Sequence, residues 1–205
     1  MDWVEFKGRM FELGCFSVQQ VYAWKPDFDR NNFSRWLRRG YLARLRQGVY
    51  TFPEYRSRPD MSLYFAGRIY RPSYVSLHTA LASQGLIPEA VVQITSVTSL
   101  KTARFRNEFG AYSYHSVRED LMFGYEPRAL ADGRTALCAT REKALLDLLY
   151  LYPFYNTEEE LENLRLDRVA LHEDLDRDRL HAFAACFRCH ALEGRVRLLR
   201  EVYAL

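Results

Sequence analysis

The feature that most constrains the fold is a basic segment near the start of the chain. Residues 30–51 hold six arginines and no aspartate or glutamate. Within this segment Phe33, Trp36 and Leu37 follow the i, i+3, i+4 spacing of a helix that buries one apolar stripe. The spacing predicts a helix over about 30–39, with Trp36 in the core and the arginines exposed to solvent around the stripe.

Short helices precede this segment and a hairpin follows it. Residues 3–13 carry apolar side chains at helical spacing, and Ser17 with Gln20 forms the capping-box pattern of a helix that ends near Trp24. Residues 41–52 alternate between apolar and polar side chains around a Gln-Gly pair, which predicts a β-hairpin. Three helices followed by a hairpin are typical of a winged helix-turn-helix. Helix ends are predicted at Gly14, Gly40 and Gly85.

The basic helix and hairpin carry residue types that read double-stranded DNA. An α-helix fits the major groove, where arginine pairs with guanine and asparagine with adenine, and the N-terminal part of a recognition helix contacts the bases. The expected base contacts are Asn31, Asn32, Ser34 and Arg35; the other candidate DNA-binding residues are Arg30, the phosphate-contacting Arg38 and Arg39, and Arg44, Arg46 and Gln47 on the hairpin. An ordinary amphipathic helix with a solvated arginine face is the alternative.

The distribution of charge points to the same end of the chain. Residues 1–58 carry eleven Lys/Arg against six Asp/Glu, whereas the remaining residues carry eighteen against twenty. A local basic excess suits a polyanionic partner better than an acidic small molecule. The first residues lack the apolar core of a signal peptide, and no apolar run is long enough for a membrane span. We therefore expect a cytoplasmic protein without a membrane partner, whose four cysteines are free thiols.

The chain divides into two predicted domains. Residues 1–54 form the winged helix-turn-helix domain, 55–59 a polar linker, and 60–205 a second domain. The strands predicted in the second domain are residues 91–98 and a hairpin over 104–117; its predicted helices cover about 61–70, 77–84, 141–152, a short segment capped by Thr157, and 177–204 with a break near Gly194. Separated helices and antiparallel strands make the expected class α+β, with a helical tail.

Some residue groups resemble metal or catalytic sites. Cys186, Cys189 and His190 form a C-x-x-C-H string, the pattern of haem attachment and part of a zinc site. Because a tetrahedral site needs a fourth ligand and no second cysteine pair exists, we expect no metal and no cofactor. Lys143 and Asp147 stand at i, i+4 and predict a surface ion pair. Glycine-rich phosphate loops and nucleophile motifs are absent from the sequence, so an enzyme is not expected.

Ordered segments across most of the chain resemble the AbiEi-type antitoxins of type IV (abortive infection) toxin–antitoxin systems. The N-terminal run 28–52 resembles the winged-helix portion of that family. In the second domain the segments that resemble it, in the same order, are Arg71–Leu77, Gly85–Glu89, Ile94–Thr98, Phe109–Tyr114 and Ala139–Leu151. The resemblance thins after about residue 155.

The resemblance implies an antitoxin of phage defence that represses its own operon. Its N-terminal domain would bind inverted repeats in the promoter, and its C-terminal domain would counter a nucleotidyltransferase-like toxin, with or without a direct complex. Two alternatives stay open. The second domain could be a nuclease or transferase that the N-terminal domain delivers to DNA, or it could sense a small molecule and change operator affinity.

Overall fold

A computed structural model of the chain describes residues 2–88 and 92–205, which form a mixed α+β structure with a helical C-terminal tail. The described α-helices are α1 (Trp3–Met10), α2 (Val18–Trp24), α3 (Asn31–Arg38), α4 (Met61–Ile69), α5 (Leu77–Ser83), α6 (Arg141–Leu151), α7 (Glu158–Glu162), α8 (Arg168–Asp174), α9 (Arg177–Phe187) and α10 (His190–Tyr203). The described strands are β1 (Cys15–Ser17), β2 (Ala43–Arg46), β3 (Val49–Thr51), β4 (Ser73–Val75), β5 (Gln93–Thr98), β6 (Ala103–Asn107), β7 (Gly110–Ser116), β8 (Tyr125–Ala129) and β9 (Thr135–Ala139).

The N-terminal part of the chain contains helices α1 to α3 and a three-stranded antiparallel sheet of order β1-β3-β2. Strand β1 lies between α1 and α2 in the sequence, and β2 and β3 follow α3. The predicted capping box is confirmed, since the Gln20 backbone N–H donates to the Ser17 hydroxyl and the Ser17 N–H donates to the Gln20 side chain. The predicted hairpin is also confirmed as β2 and β3, with Gly48 at φ +77° in the turn. Strand β1 was not predicted, because three residues give no measurable alternation.

Local backbone chemistry sets several helix ends. Gly14, Gly40 and Gly85 all have positive φ, near +70°, and each lies where a helix was predicted to stop. The break in the C-terminal helix differs from the prediction. It falls at Arg188, which is left-handed at φ +48°, while Gly194 lies inside α10. The prediction at Gly194 was wrong because a single glycine costs a helix only about 1 kcal/mol and does not by itself end it.

The second sheet has six strands in the order β6-β7-β5-β4-β9-β8. The predicted β6–β7 hairpin is confirmed, and the predicted strand at 91–98 is observed as β5; its first residue, Val91, lies outside the described residues. The sheet is mixed rather than antiparallel, because β7 runs parallel to β5, and β9 parallel to β4. The alternation of side chains within one strand does not indicate whether its neighbour in the sheet runs parallel or antiparallel to it.

The cap predicted for α6 is present, since the Thr140 hydroxyl accepts from the Lys143 N–H at 3.4 Å. Thr157 caps α7 in the same way, with its hydroxyl 3.2 Å from the Glu160 N–H. Helices α5 and α6 pack together against one face of the sheet, and the tail helices α9 and α10 pack on α6. None of the helices in the described ranges is both long and apolar enough to cross a membrane.

The aromatic core of the first 54 residues continues past them. Tyr55 is fully buried, stacks on Phe11 with 4.9 Å between the ring centres, and donates its hydroxyl hydrogen bond to the Phe11 carbonyl oxygen. The same apolar cluster includes Tyr112 and Tyr114 of the six-stranded sheet. The first residue of the predicted linker 55–59 is therefore part of the core, and the division at 54 stays a prediction about independent folding.

Candidate nucleic-acid interface

One side of α3 is buried in the N-terminal core. Phe33 stacks on Tyr50 of β3 with 4.8 Å between the ring centres, and Trp36 lies 4.5 Å from Phe6 of α1 by the same measure. Phe33 is 3% and Trp36 2% exposed, so the prediction that Trp36 is a core residue is confirmed. This packing fixes which side of α3 faces solvent.

The exposed side of α3 carries most of the predicted DNA-binding residues. These are Arg30, Asn31, Ser34, Arg35, Arg38 and Arg39, all of them exposed. At the start of the helix the Asn31 N–H donates to the Asp29 carboxylate at 2.9 Å, which satisfies one of the helix's free backbone donors. Asp29 is the acidic residue nearest in sequence to this surface.

Asn32 does not belong to the exposed surface. It is only 4% exposed, and its side-chain oxygen accepts a hydrogen bond from the Arg35 guanidinium one turn later. The expectation that Asn32 contacts a base does not fit this position, because its side chain is buried and its amide oxygen is already bonded to Arg35. Its contact instead holds the Arg35 side chain, so Asn32 is a positioning residue for this surface.

The predicted DNA-contacting residues of the hairpin also differ in their exposure to solvent. Arg44 and Gln47 are exposed, whereas Arg46 is half-buried and donates to the Ile69 carbonyl oxygen at 2.7 Å. The Arg46 guanidinium also lies 5.6 Å from the ring centre of Phe105 on β6. Arg46 therefore attaches the hairpin to α4 and β6, and the structure does not bring it to the exposed surface with Arg44.

The exposed arginines of α3 and β2 have no carboxylate partner in the described part of the chain. We call the exposed residues Arg30, Asn31, Ser34, Arg35, Arg38, Arg39, Arg44 and Gln47 the basic surface. Among the residues that the structure describes, no carboxylate lies within 4.0 Å of the guanidinium nitrogens of its five arginines. Arg118, by contrast, is exposed and paired with Asp120 at 3.3 Å. A group of cations without local anions attracts an external polyanion.

The ion pair predicted on the surface of α6 is buried, and that prediction was wrong. Lys143 and Asp147 are both fully buried and joined by a hydrogen bond, and Asp147 also accepts from Tyr74 at 2.9 Å and from Ser76 at 2.8 Å. Burial lowers the pKa of Lys143 and raises the pKa of Asp147, and each charge offsets part of the shift of the other.

Aromatic rings surround the buried ammonium of Lys143. Its Nζ lies 4.8 Å from the ring centre of Phe187 and 4.9 Å from that of Phe123. These rings come from α9 and from the loop before β8, so the burial of α6 depends on elements distant in sequence. The apolar residues on both sides of Asp147 along α6 were the signal that this helix is covered on several sides.

The C-x-x-C-H string does not lie on one helix face. Cys186 is on α9, His190 begins α10, and the chain turns between them at Arg188. Cys186 and His190 are exposed, and no group of three potential metal ligands occurs within residues 2–88 and 92–205. The other cysteines, Cys15 and Cys138, are buried, which raises the pKa of the Cys138 thiol to about 11.

Comparison with known proteins gives no assignment. No model of a known protein family matches the chain, and no curated protein matches its sequence significantly.

Proposed function

We propose that the chain binds double-stranded DNA as a winged helix-turn-helix protein, with α3 in the major groove and the β2–β3 hairpin as the wing. The observation that carries this proposal is the basic surface, on which five exposed arginines have no carboxylate partner in the described part of the chain. An element order of helix, strand, helix, helix and two strands supports it.

The roles on this surface follow from position along α3. Asn31, Ser34 and Arg35 lie in the first part of the helix, which reads base edges in helix-turn-helix proteins. Arg38 and Arg39 lie at its end and would contact phosphates, as would Arg44 on the wing. The core packing of Phe33 and Trp36 presents these side chains on a rigid helix rather than on a loop.

We further propose that the protein acts by binding, as a transcriptional autorepressor and antitoxin of a type IV system. The ordered resemblance of six segments to the AbiEi-type antitoxins supports this reading, and so does the N-terminal position of the basic surface. In this proposal the partners are an inverted-repeat operator and a nucleotidyltransferase-like toxin. Residues 60–205 would counter the toxin, and no catalytic step of the protein itself is involved.

Footprinting of the DNA upstream of the gene with the purified full chain tests the repressor role. We expect protection of an inverted repeat, with an affinity that falls steeply as salt rises. Protection without sequence preference, or no protection, would overturn it.

The antitoxin role has a separate test. The neighbouring toxin gene is induced in cells that carry the full chain or the double variant Arg35→Glu/Arg38→Glu from an independent promoter. We expect both chains to restore growth, because neutralisation is assigned to the second domain. Failure of the wild-type chain to restore growth would contradict the antitoxin role and leave DNA binding to the footprint.

A further inference from the structure

A cavity of about 350 Å³ opens on the six-stranded sheet. Its walls are β5, β6 and β7, the start of α5 and the residue after α6. The polar side chains that line it include His78, Arg104, Ser113, His115 and Tyr152. None of these residues was assigned a role above.

Strand register places three of these side chains on one face of the sheet. Arg104 of β6 is paired with Ser113 of β7, and Ser113 is in turn paired with Thr95 of β5. Side chains of directly paired residues lie on the same face, and so do residues two apart on a strand. His115 therefore lies on the same face of the sheet as Ser113 and Arg104.

Arg104 gives the cavity a positive charge, and the His115 imidazole beside it favours the neutral form. His115 is half-buried, and burial, then the Arg104 charge, then His78 lower its pKa. Tyr152 lies beside both imidazoles, with its hydroxyl 3.3 Å from His115 Nε2 and its ring centre 5.8 Å from that of His78. Of the lining residues that the structure describes, none is an aspartate or a glutamate.

Ser113 gives a second, independent indication of a ligand. Its side chain is buried to all but 3%, and its hydroxyl has no hydrogen-bond partner among the described residues. The adjacent Thr95 hydroxyl is fully engaged, because it donates to the Ser76 carbonyl oxygen at 2.8 Å and contacts the Thr79 hydroxyl at 3.0 Å. A buried hydroxyl without a partner carries a desolvation cost that an acceptor in the cavity would remove.

We propose that this cavity binds the phosphate group of a small phosphorylated molecule. Arg104 supplies positive charge, and His115 becomes protonated only when a phosphate binds beside it. The Ser113 and Tyr152 hydroxyls supply donors for phosphate oxygens. The volume suits a small organic phosphate as well as the free ion. The site lies on β-strands of the second domain, and the proposal does not depend on DNA binding by α3.

Calorimetric titration of the full chain tests the site, with inorganic phosphate and adenosine 5′-monophosphate as separate probes at constant ionic strength. We expect Arg104→Ala to weaken binding by about tenfold or more. The matched control is Arg106→Ala on the same strand, which removes the same charge from an exposed residue that does not line the cavity. We expect the control to bind within about twofold of wild type.

Two further measurements distinguish a specific phosphate site from non-specific electrostatic attraction. Bound phosphate should raise the pKa of His115 in an NMR titration, and Ser113→Ala should weaken binding without lowering stability. Tighter binding of the nucleotide identifies an organic phosphate, and equal affinities identify the free ion. Equal losses in Arg104→Ala and Arg106→Ala, no binding at about 10 mM probe, or displacement of phosphate by a DNA duplex would overturn the proposal.

Discussion

Helices α3 and α6 carry charged side chains at similar helical spacing, yet the two helices use them in opposite ways. On α3, Arg35 and Arg38 are exposed, and no carboxylate of the described chain neutralises them. On α6, Lys143 and Asp147 are fully buried and satisfy each other. A charge that the fold surrounds needs its partner, because removing one leaves the other buried and uncompensated, whereas a charge left in solvent is available for recognition.

The largest effect that tests this comparison is expected on α6. Asp147→Asn leaves a buried ammonium without its anion, and we expect the free energy of unfolding to fall by about 3–5 kcal/mol. Asp120→Asn is the matched control, since Asp120 belongs to an exposed pair with Arg118 and its loss should cost at most about 1 kcal/mol. Chemical denaturation measures both variants. Equal stability of the two variants would show that burial does not distinguish these pairs.

Replacing both partners on α6 sharpens the same point. The double variant Lys143→Met/Asp147→Leu removes both charges together, so we expect it to be more stable than Asp147→Asn. It should remain less stable than wild type, because Tyr74 and Ser76 lose their acceptor. A double variant less stable than Asp147→Asn would contradict this account of the pair.

The adjacent asparagines of α3 give the next largest contrast. Asn31→Ala should leave stability unchanged and reduce discrimination between operator and unrelated DNA by about 1–3 kcal/mol, because Asn31 is exposed. Asn32→Ala should lower the free energy of unfolding by about 1–3 kcal/mol and also weaken DNA binding, because Asn32 holds Arg35. Denaturation and fluorescence anisotropy on each variant measure the two quantities. An Asn32→Ala protein of wild-type stability would refute its buried role.

A smaller contrast is expected on β2. Arg46→Ala should lower the free energy of unfolding by about 1–2 kcal/mol, because Arg46 bonds the Ile69 carbonyl oxygen and packs on Phe105. Arg44→Ala should change stability by less than about 0.5 kcal/mol and should weaken DNA binding. Thermal unfolding of the two variants, with DNA affinity measured in parallel, checks the pair. The reverse pattern would place the DNA contact on Arg46.

Much of the local structure could be predicted from the sequence because its causes are local. The Ser17–Gln20 capping box, the Gln-Gly turn and the positive-φ glycines each act over a few residues, and the structure contains all of them. The apolar stripe of α3 likewise fixed its buried side. Because that stripe is buried, the side chains on the opposite side of α3 are exposed, and these form most of the candidate site.

The remaining features depend on contacts between distant segments. Strand β4 has three residues and pairs with β9, which lies far along the chain, so alternation did not reveal it. Strands β8 and β9 form a local hairpin that was also missed. The burial of Asp147 requires Tyr74 and Ser76, which lie some seventy residues away in sequence. Arg46 was assigned to DNA for the same reason, since nothing near it in sequence indicates that Phe105 covers it.

The salt dependence of operator binding tests the central claim most directly. Anisotropy with the protected repeat should give a slope of log affinity against log salt of about −2.7 per bound wild-type chain, at about −0.9 for each of the three phosphates that Arg38, Arg39 and Arg44 neutralise. The double variant Arg35→Glu/Arg38→Glu should weaken binding by more than about 100-fold. The control Arg197→Glu/Arg200→Glu makes the same charge change at exposed positions on α10, and we expect it to bind as wild type does. A wild-type slope near zero, or equal losses in the two double variants, would contradict DNA binding by α3.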